Sequence, residues 1–276
     1  MSRLAINQRT LTALLLAPLA IVLILLAPTA LFALVIAVMA LQALWEWTRL
    51  AGFRQRPARA LMLVAAAGLL ALLWVDDNPL LLAAVLAAGV AWWLLALVWL
   101  RHVSYAAAPT RGHAWLKLGT ALLAIVPAWL GLVALHRSEP LGHAWTLLGL
   151  MLVWSADTGA YLAGTRLGRH KLAPTISPGK TWEGVAGGVL LALAVAAAGG
   201  ALLGVRGFAF APLLLLALLT VAAAIVGDLF ESLLKRHALV KDSGTFFPGH
   251  GGILDRLDSV FAALPLFVLG KLLLGL

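Results

Sequence analysis

Long apolar runs separated by short polar segments account for most of this chain. Nine such runs lie at about 11–27, 29–47, 60–75, 79–100, 115–135, 143–163, 183–204, 208–233 and 253–275. A helix of about 20 apolar residues crosses a hydrocarbon core of roughly 30 Å, and each run is close to that length. The first run follows two arginines, as in a signal peptide, but it leads directly into a second apolar segment at Pro28, so we expect a retained helix. The pattern predicts an all-α polytopic integral membrane protein with about nine transmembrane helices.

Composition supports the membrane class and narrows the chemistry. Of the 276 residues, 63% are hydrophobic and only 11% are charged, which lies outside the range of soluble domains. The chain has no Cys, so disulfides, thiolate catalysis and Cys-based metal sites are excluded, and any metal must be held by oxygen or imidazole. The net charge of +9 is scattered through short loops, which favours anionic lipid or a small anionic substrate over nucleic acid.

Lys and Arg are distributed unevenly between the two sides that the nine runs define. One side receives 17 of the 20, and the other receives only Arg137, Arg206 and Lys271. Because cytoplasmic loops carry the excess of Lys and Arg, we expect a cytoplasmic N-terminus, an external C-terminus and a multi-pass location in the inner (plasma) membrane. The 17 are Arg3, Arg9, Arg49, Arg54, Arg56, Arg59, Arg101, Arg111, Lys117, Arg166, Arg169, Lys171, Lys180, Lys235, Arg236, Lys241 and Arg256.

Acidic residues divide the chain into two regions of different character. Residues 1–140, with about five spans, carry Glu46 beside Trp45 and Trp47, and we interpret these three as an interfacial anchor. Residues 141–276, with about four spans, form the predicted catalytic region. Its spans contain Asp157, Glu183, Asp228, Glu231, Asp255 and Asp258. Acids inside a membrane are costly, so a cluster of them predicts function.

Two helix ends face each other around the last loop. In VGDLFESLLKRH the polar residues Asp228, Glu231, Ser232 and Lys235 share one helical face. In HGGILDRLDS, Asp255 and Asp258 share a face, and Arg256 is expected to point elsewhere. These acids could simply pair with nearby Lys and Arg at the interface. Four of them on facing helix ends favour a site for a hard cation, Mg²⁺ or Mn²⁺.

Glycine-rich turns next to these helices suggest anion binding. His250, Gly251 and Gly252 precede the ninth run, where backbone N–H groups at a helix N-terminus can meet an anion, although a tight re-entry turn explains them equally well. The SPGKT loop fails the P-loop pattern because Pro174 stands where Gly is needed.

Ser177, Lys180 and Thr181 in this loop form either a phosphate cradle or an ordinary helix cap. Asp157 in the sixth run is a candidate metal ligand, a partner for a Lys, or a packing contact.

The segment SLLKRHALVKDSGTFFPGHGGILDRLD, residues 232–258, resembles the signature of the phosphatidate cytidylyltransferases, or CDP-diacylglycerol synthases. The resemblance extends upstream through Asp157, Tyr161, SPGKTWEG and GDLFES, and covers about residues 150–260. It implies an Mg²⁺-dependent transfer of a cytidylyl group from CTP to phosphatidic acid, with pyrophosphate as the second product and a second cation as an open alternative. A homodimer also stays open.

The resemblance also implies roles for individual residues. Asp228 and Asp255 would be metal ligands, supported by Asp258. The polar cluster of the active site would be Ser232, Lys235, Arg236, Lys241 and Asp242, and the nucleotide-facing loop would contain Ser177, Lys180 and Thr181.

The residues themselves agree with such a reaction. Joining a phosphomonoester to a nucleoside triphosphate brings together about six negative charges, which demands cations at the site. A transporter or lipid flippase would also place acids at helix breaks, but the acids here lie at helix ends and not near mid-span, apart from Asp157. A transferase that consumes CDP-diacylglycerol would need a D-G-x-x-A-R pattern that the chain lacks, and a scaffold would leave the clustered charges unexplained.

Overall fold

A computed structural model describes residues 8–246 and 251–276, with side chains from residue 17 onward. The described chain is almost entirely helical, and its helices coincide with the predicted apolar runs to within a few residues. They are α1 Gln8–Leu26, α2 Thr29–Leu50, α3 Arg56–Val75, α4 Pro79–Arg101, α5 Arg111–Arg137, α6 Gly142–Leu167, α7 Trp182–Leu202, α8 Phe210–His237 and α9 Leu254–Leu274. A short 3₁₀ turn, Gly207–Ala209, leads into α8. The predicted all-α membrane fold is confirmed.

The number of membrane spans is confirmed only in part. Among the described residues, eight helices, α2 to α9, are long and apolar enough to cross a membrane. The described apolar part of α1, Ala17–Leu26, is shorter than a span requires. The ninth span therefore stays a prediction.

The polar loop after α6 differs from the predicted irregular turn. It forms an antiparallel hairpin of β1, Lys171–Ala173, and β2, Ser177–Thr181. Lys171 pairs with Thr181 and Ala173 pairs with Ser177. Backbone N–H and C=O groups must be satisfied, and two short strands joined by the turn Pro174, Thr175 and Ile176 achieve this locally. The last residue of β2, Thr181, is also the N-cap of α7. Lys180 directly precedes it, so the hairpin fixes the position of Lys180.

Close helix packing positions the acidic residues of the second region. At Gly227 in α8, an added Cβ would overlap the backbone oxygen of Asp258 in α9. At Gly159 in α6, a Cβ would lie 2.5 Å from the Gly187 oxygen in α7. Glycine is therefore required at both contacts, and the two pairs of helices approach closely beside Asp157, Asp228 and Asp258.

The loops that we assigned to one side of the membrane meet at one end of the helix bundle. The Arg49 guanidinium donates to the Ser243 carbonyl oxygen at 2.6 Å. Arg236 Nε donates to the Ile176 oxygen at 3.1 Å, and His237 Nε2 lies 2.7 Å from the Val103 oxygen. These contacts join the loops after α2, α4, α6 and α8. That this end is cytoplasmic stays a prediction.

Candidate active site

A cavity of about 520 Å³ opens at this end of the bundle, between α6, the hairpin, α7, α8 and α9. Four carboxylates and three cations line it, and they come from segments that are far apart in the sequence. These residues are Asp157, Lys180, Asp228, Lys235, Asp255, Arg256 and Asp258. Two of the cations, Lys180 and Lys235, are paired with carboxylates of the cavity, so the cavity holds charges of both signs without a large net excess.

Lys180 and Asp228 form an ion pair that joins the hairpin to α8. Both side chains are about a quarter to a third exposed, at 25% and 31%, so solvent and small ligands reach the pair. Ser232, one turn further along α8, places its hydroxyl 3.5 Å from Asp228 Oδ1. The predicted shared face of Asp228 and Ser232 is confirmed. Lys180, from the hairpin, contacts the same face through its ion pair with Asp228.

Lys235 bridges the two acidic helix ends that the sequence placed opposite each other. Its Nζ lies 2.5 Å from Glu231 Oε2 on the same helix and 2.7 Å from Asp255 Oδ1 on α9. The three side chains are 17%, 2% and 11% exposed, so the charges are held largely away from water. A lysine held between two largely buried carboxylates is fixed by both of them, and loss of its charge would leave two negative charges uncompensated.

Asp255 is the most extensively bonded acid in the cavity. Its Oδ2 accepts from the Ser243 N–H at 2.9 Å, the Ser243 hydroxyl at 2.9 Å and the Gly252 N–H at 2.7 Å. Gly251 has a positive φ of 85°, and a Cβ there would lie 2.6 Å from Asp255 Oδ2. The predicted glycine turn thus has a defined task in this structure, which is to present the Gly252 N–H to an internal carboxylate.

Glu46 corrects our interpretation of the first region, since it is not an interfacial anchor. It is buried, at 4% exposure, and accepts from the Ser243 hydroxyl at 2.7 Å. It also accepts from the N–H groups of Ile253 and Leu254, at 3.1 and 2.9 Å. A carboxylate at a helix N-terminus satisfies unpaired N–H groups and complements the helix dipole.

A residue from α2 therefore supports the start of α9. The available signal was a lone acid inside an apolar run, but its partners lie about two hundred positions away, beyond the reach of any local pattern.

Several predicted site residues lie outside the cavity. Arg236 lines a different cavity from Lys235, because adjacent residues on a helix point about 100° apart. Ser177 is paired with Ala173 in the hairpin, and Ser177, Lys241 and Asp242 do not line the cavity. His250 lies outside the described residues. A direct role for these five residues stays a prediction.

Three further residues line the cavity. Thr181 lines the cavity but also caps α7, where its hydroxyl accepts from the Gly184 N–H at 3.2 Å. Asp157, left open among three roles, lines the cavity beside Lys180 and Asp228. Arg256 was expected to point elsewhere, yet it also lines the cavity. The reason is that the cavity is bounded by several elements around the start of α9, and not by one face of that helix.

The carboxylate oxygens of the cavity are chemically suited to a hard divalent cation. Aspartate oxygens are the ligands that Mg²⁺ prefers, and Mg²⁺ commonly uses only one or two carboxylates and keeps several waters. Within the described ranges no group of three or more His, Asp or Glu is arranged as a metal site. Asp228 has oxygens accessible from the cavity, whereas Asp255 would first have to release Lys235 from Oδ1.

Comparison with known proteins decides the family. The sequence model of the cytidylyltransferase family matches residues 7–273. The chain belongs to the cytidylyltransferase family. A phosphatidate cytidylyltransferase of Pseudomonas aeruginosa is 43% identical over 266 residues, covering 95% of each chain. That of Haemophilus influenzae is 35% identical over 249 residues, covering 81% of this chain and 84% of the relative.

A third relative is similar over a shorter length. The phosphatidate cytidylyltransferase of Bacillus subtilis is 49% identical over 115 residues, which is 42% of each chain. The resemblance inferred from residues 232–258 is confirmed, and so is the assignment of this cytidylyltransferase to the nucleotidyltransferase enzymes. The cavity is the part of the described molecule where the signature residues Lys235, Asp255 and Asp258 converge.

Proposed function

We propose that the cavity between α6 and α9 is where this cytidylyltransferase transfers a cytidylyl group from CTP to phosphatidic acid. The products are CDP-diacylglycerol and pyrophosphate, for phospholipid synthesis. The observation that carries the proposal is the convergence of Lys180, Lys235 and Arg256 with Asp228 in one cavity at the end of a membrane bundle. A polar nucleotide and a bilayer lipid can meet only at such an interface. The bacterial relatives support the inner membrane as its location.

The reaction requires charge neutralisation more than proton transfer. A phosphate oxygen of phosphatidic acid attacks the α-phosphorus of CTP, and a new P–O bond forms. The bond from the α-phosphorus to the bridging oxygen breaks, and pyrophosphate leaves with that electron pair. The attacking phosphate is already ionised near neutral pH, so no general base is needed. Cations fixed near the phosphates lower the barrier because the developing charge is stabilised without reorganisation.

Lys180 is the cation best placed to respond to CTP. It is carried by a short hairpin, is partly exposed and pairs only with Asp228 among the described residues. A triphosphate that enters the cavity offers this ammonium a partner of higher charge than one carboxylate. Lys180 then exchanges from Asp228 to the CTP phosphates, with little loss of pairing.

Lys235 and Asp255 have the opposite character, since both are held rigidly. Lys235 is fixed by Glu231 and Asp255, and Asp255 is fixed by Ser243 and Gly252. A site held in this way keeps its charges aligned through the reaction. We assign Lys235 to the reacting phosphates, with Asp255 as the residue that orients it.

Asp228 is the residue that would hold Mg²⁺ in this proposal. Bound there, the ion would neutralise phosphate oxygens and polarise the α-phosphorus. When Lys180 leaves Asp228, a carboxylate oxygen becomes available to the ion and the ammonium becomes available to the phosphates. Asp258 and Asp157 line the same cavity and supply further oxygen donors. A second cation near Asp255, and a homodimer, stay predictions.

One assay tests the function directly. Purified protein is supplied with phosphatidic acid, labelled CTP and Mg²⁺, and both pyrophosphate release and label in the lipid fraction are measured. We expect both in equal amounts, and neither when CTP or phosphatidic acid is omitted. Folded protein that releases pyrophosphate without labelling lipid, or that does neither, would contradict the proposal. Asp77→Asn, an exposed acid at the other end of the bundle, is the matched control for variants of the cavity acids.

A further inference from the structure

A second cavity lies at the same end of the bundle, on the other side of α8. Its volume is about 880 Å³, and its walls are the end of α2, the turn that follows, the loop after α4, the start of α5 and the end of α8. Five Lys and Arg residues and one His line it, and no carboxylate does so within the described residues. The basic residues are Arg49, Arg54, Arg59, Lys117, Arg236 and His237.

Lys117 is the unusual member of this set. Its side chain is buried, at 4% exposure, and lines the cavity, yet it has no hydrogen bond or ion pair with any described residue. Its helix position is well fixed, because its backbone oxygen accepts from Trp47 Nε1 at 3.0 Å and from the Thr120 hydroxyl at 2.7 Å. The side chain is largely withdrawn from solvent and its ammonium has no described partner, so an anion that enters the cavity meets a positive charge that is free to pair with it.

The surrounding cations are positioned by neutral groups, so their charge is still available. Arg49 donates to the Ser243 oxygen at 2.6 Å, and Arg59 donates to the Thr48 hydroxyl at 2.9 Å. Arg236 donates to the Ile176 oxygen at 3.1 Å. Such contacts orient each guanidinium without neutralising it. The cavity therefore presents oriented positive charge, and none of its described lining residues is a carboxylate that could balance it.

His237 also lines the cavity, but one of its ring nitrogens is already bonded. His237 Nε2 lies 2.7 Å from the Val103 oxygen and must carry a proton to bond with it. His237 Nδ1 is buried and makes no hydrogen bond within the described chain. In the neutral ring Nδ1 is then an acceptor, so Lys117 and the arginines are the groups of this cavity that can pair with an anion, and no acid lies among its described lining residues.

We propose that this second cavity binds a phosphate-bearing anion, separate from the substrates in the active site. The ligand is either a phospholipid headgroup or a free phosphate. Several guanidinium groups and one lysine around a single space match the multiple oxygens and charge of a phosphate. Leu50, Phe53 and Leu233 add an apolar wall, as a headgroup with its glycerol backbone would require. Basic pockets between membrane helices are a recognised form of lipid headgroup site.

Helix α8 contributes residues to both cavities, so a ligand in the second cavity contacts an element of the active site. Lys235 lines the active-site cavity, and Arg236, the next residue, lines the second cavity. Arg236 also holds Ile176, in the turn of the hairpin that carries Lys180. An anion beside Arg236 therefore acts on the element that positions Lys180.

Thermal unfolding of the full-length protein tests the site without relying on activity. The protein is placed in nanodiscs of phosphatidylcholine alone, with inorganic phosphate, or with phosphatidylglycerol mixed in. We expect either anion to raise the unfolding midpoint by a few degrees. Lys117→Met should be at least as stable as the wild type without anion, because it removes an unpaired buried charge. It should also weaken the response to anion roughly tenfold or more.

Three further variants make the result decisive. Arg54→Gln changes an exposed residue of the cavity, so it should fold normally and weaken the response. Arg111→Gln removes an exposed charge near the cavity but outside it and should leave the response intact, as should Lys180→Ala in the active site. A response only to phosphatidylglycerol identifies a lipid headgroup, and a response only to phosphate identifies the free ion.

Other outcomes overturn the proposal. These are no response to either anion, an equal response in wild type and Lys117→Met, or a response lost in Lys180→Ala and kept in Lys117→Met. The assay requires no CTP, so loss of catalysis does not affect its result.

Discussion

Glu46 and Asp255 both lie within hydrogen-bonding distance of the Ser243 hydroxyl. Ser243 Oγ lies 2.7 Å from Glu46 Oε2 and 2.9 Å from Asp255 Oδ2. The hydroxyl has one proton, so it donates to only one carboxylate at a time, while the Ser243 N–H donates to Asp255 at 2.9 Å. Glu46 on α2 is thus connected through one serine to the acid that holds Lys235.

Glu46→Gln should show whether this connection matters. A Gln amide has one acceptor oxygen, so at least one of the Ile253 and Leu254 N–H groups loses its partner, which costs about 1–3 kcal/mol. We expect a lower unfolding midpoint together with a lower kcat, because the start of α9 and Asp255 shift. The control is Glu139→Gln, an exposed residue at the opposite end of the bundle. A variant that loses stability but keeps the wild-type kcat would make Glu46 purely structural.

Asp255→Asn tests the rigid part of the active site. It keeps the shape of the side chain but removes the charge that faces Lys235 at 2.7 Å. We expect kcat to fall roughly 100-fold or more, as for loss of a preorganised electrostatic contact. Stability should fall less than for a lone buried charge, because Glu231 still pairs with Lys235. The measurements are turnover and the unfolding midpoint, with Asp77→Asn alongside, and activity within a few-fold of wild type would contradict the assigned role.

Lys180→Ala tests the nucleotide contact. We expect the KM for CTP to rise about tenfold to a hundredfold, because a charge-assisted contact to phosphate is worth roughly 1.5–3 kcal/mol, while the KM for phosphatidic acid changes little. Lys171→Ala, an exposed lysine on the other strand of the same hairpin, is the control. An unchanged KM for CTP would exclude the contact, and equal damage to both substrates would assign Lys180 to the transition state.

The predicted orientation can be checked with single Cys residues in this Cys-free chain. Ser243 is fully buried and therefore unsuitable, whereas Thr175 and Thr245 are exposed at the active-site end. Cys at either of these positions should react with an impermeant thiol reagent only from the cytoplasmic side. Ser138→Cys, exposed at the opposite end, should react from outside. The reverse pattern would invert the topology that the distribution of Lys and Arg predicts.

The sequence alone determined the membrane class, the helix bounds and the family. Hydropathy is a property of consecutive residues, so the runs at 79–100 and 208–233 predicted α4 and α8 closely. The facing acids were also visible, because Asp255 and Asp258 are separated by about one helical turn. The signature between 232 and 258 is itself a continuous segment.

Only the tertiary structure decided which side chains meet. Lys180 pairs with Asp228, and Glu46 reaches Ser243, across sequence separations that no periodicity records. Lys235 and Arg236 looked like one basic cluster, but they face different cavities because a helix turns about 100° per residue. Lys117 appeared to be one more loop cation until packing buried it. The physical reason is that helix packing, set by close contacts such as that at Gly227, fixes these distances, whereas hydropathy fixes only the helices themselves.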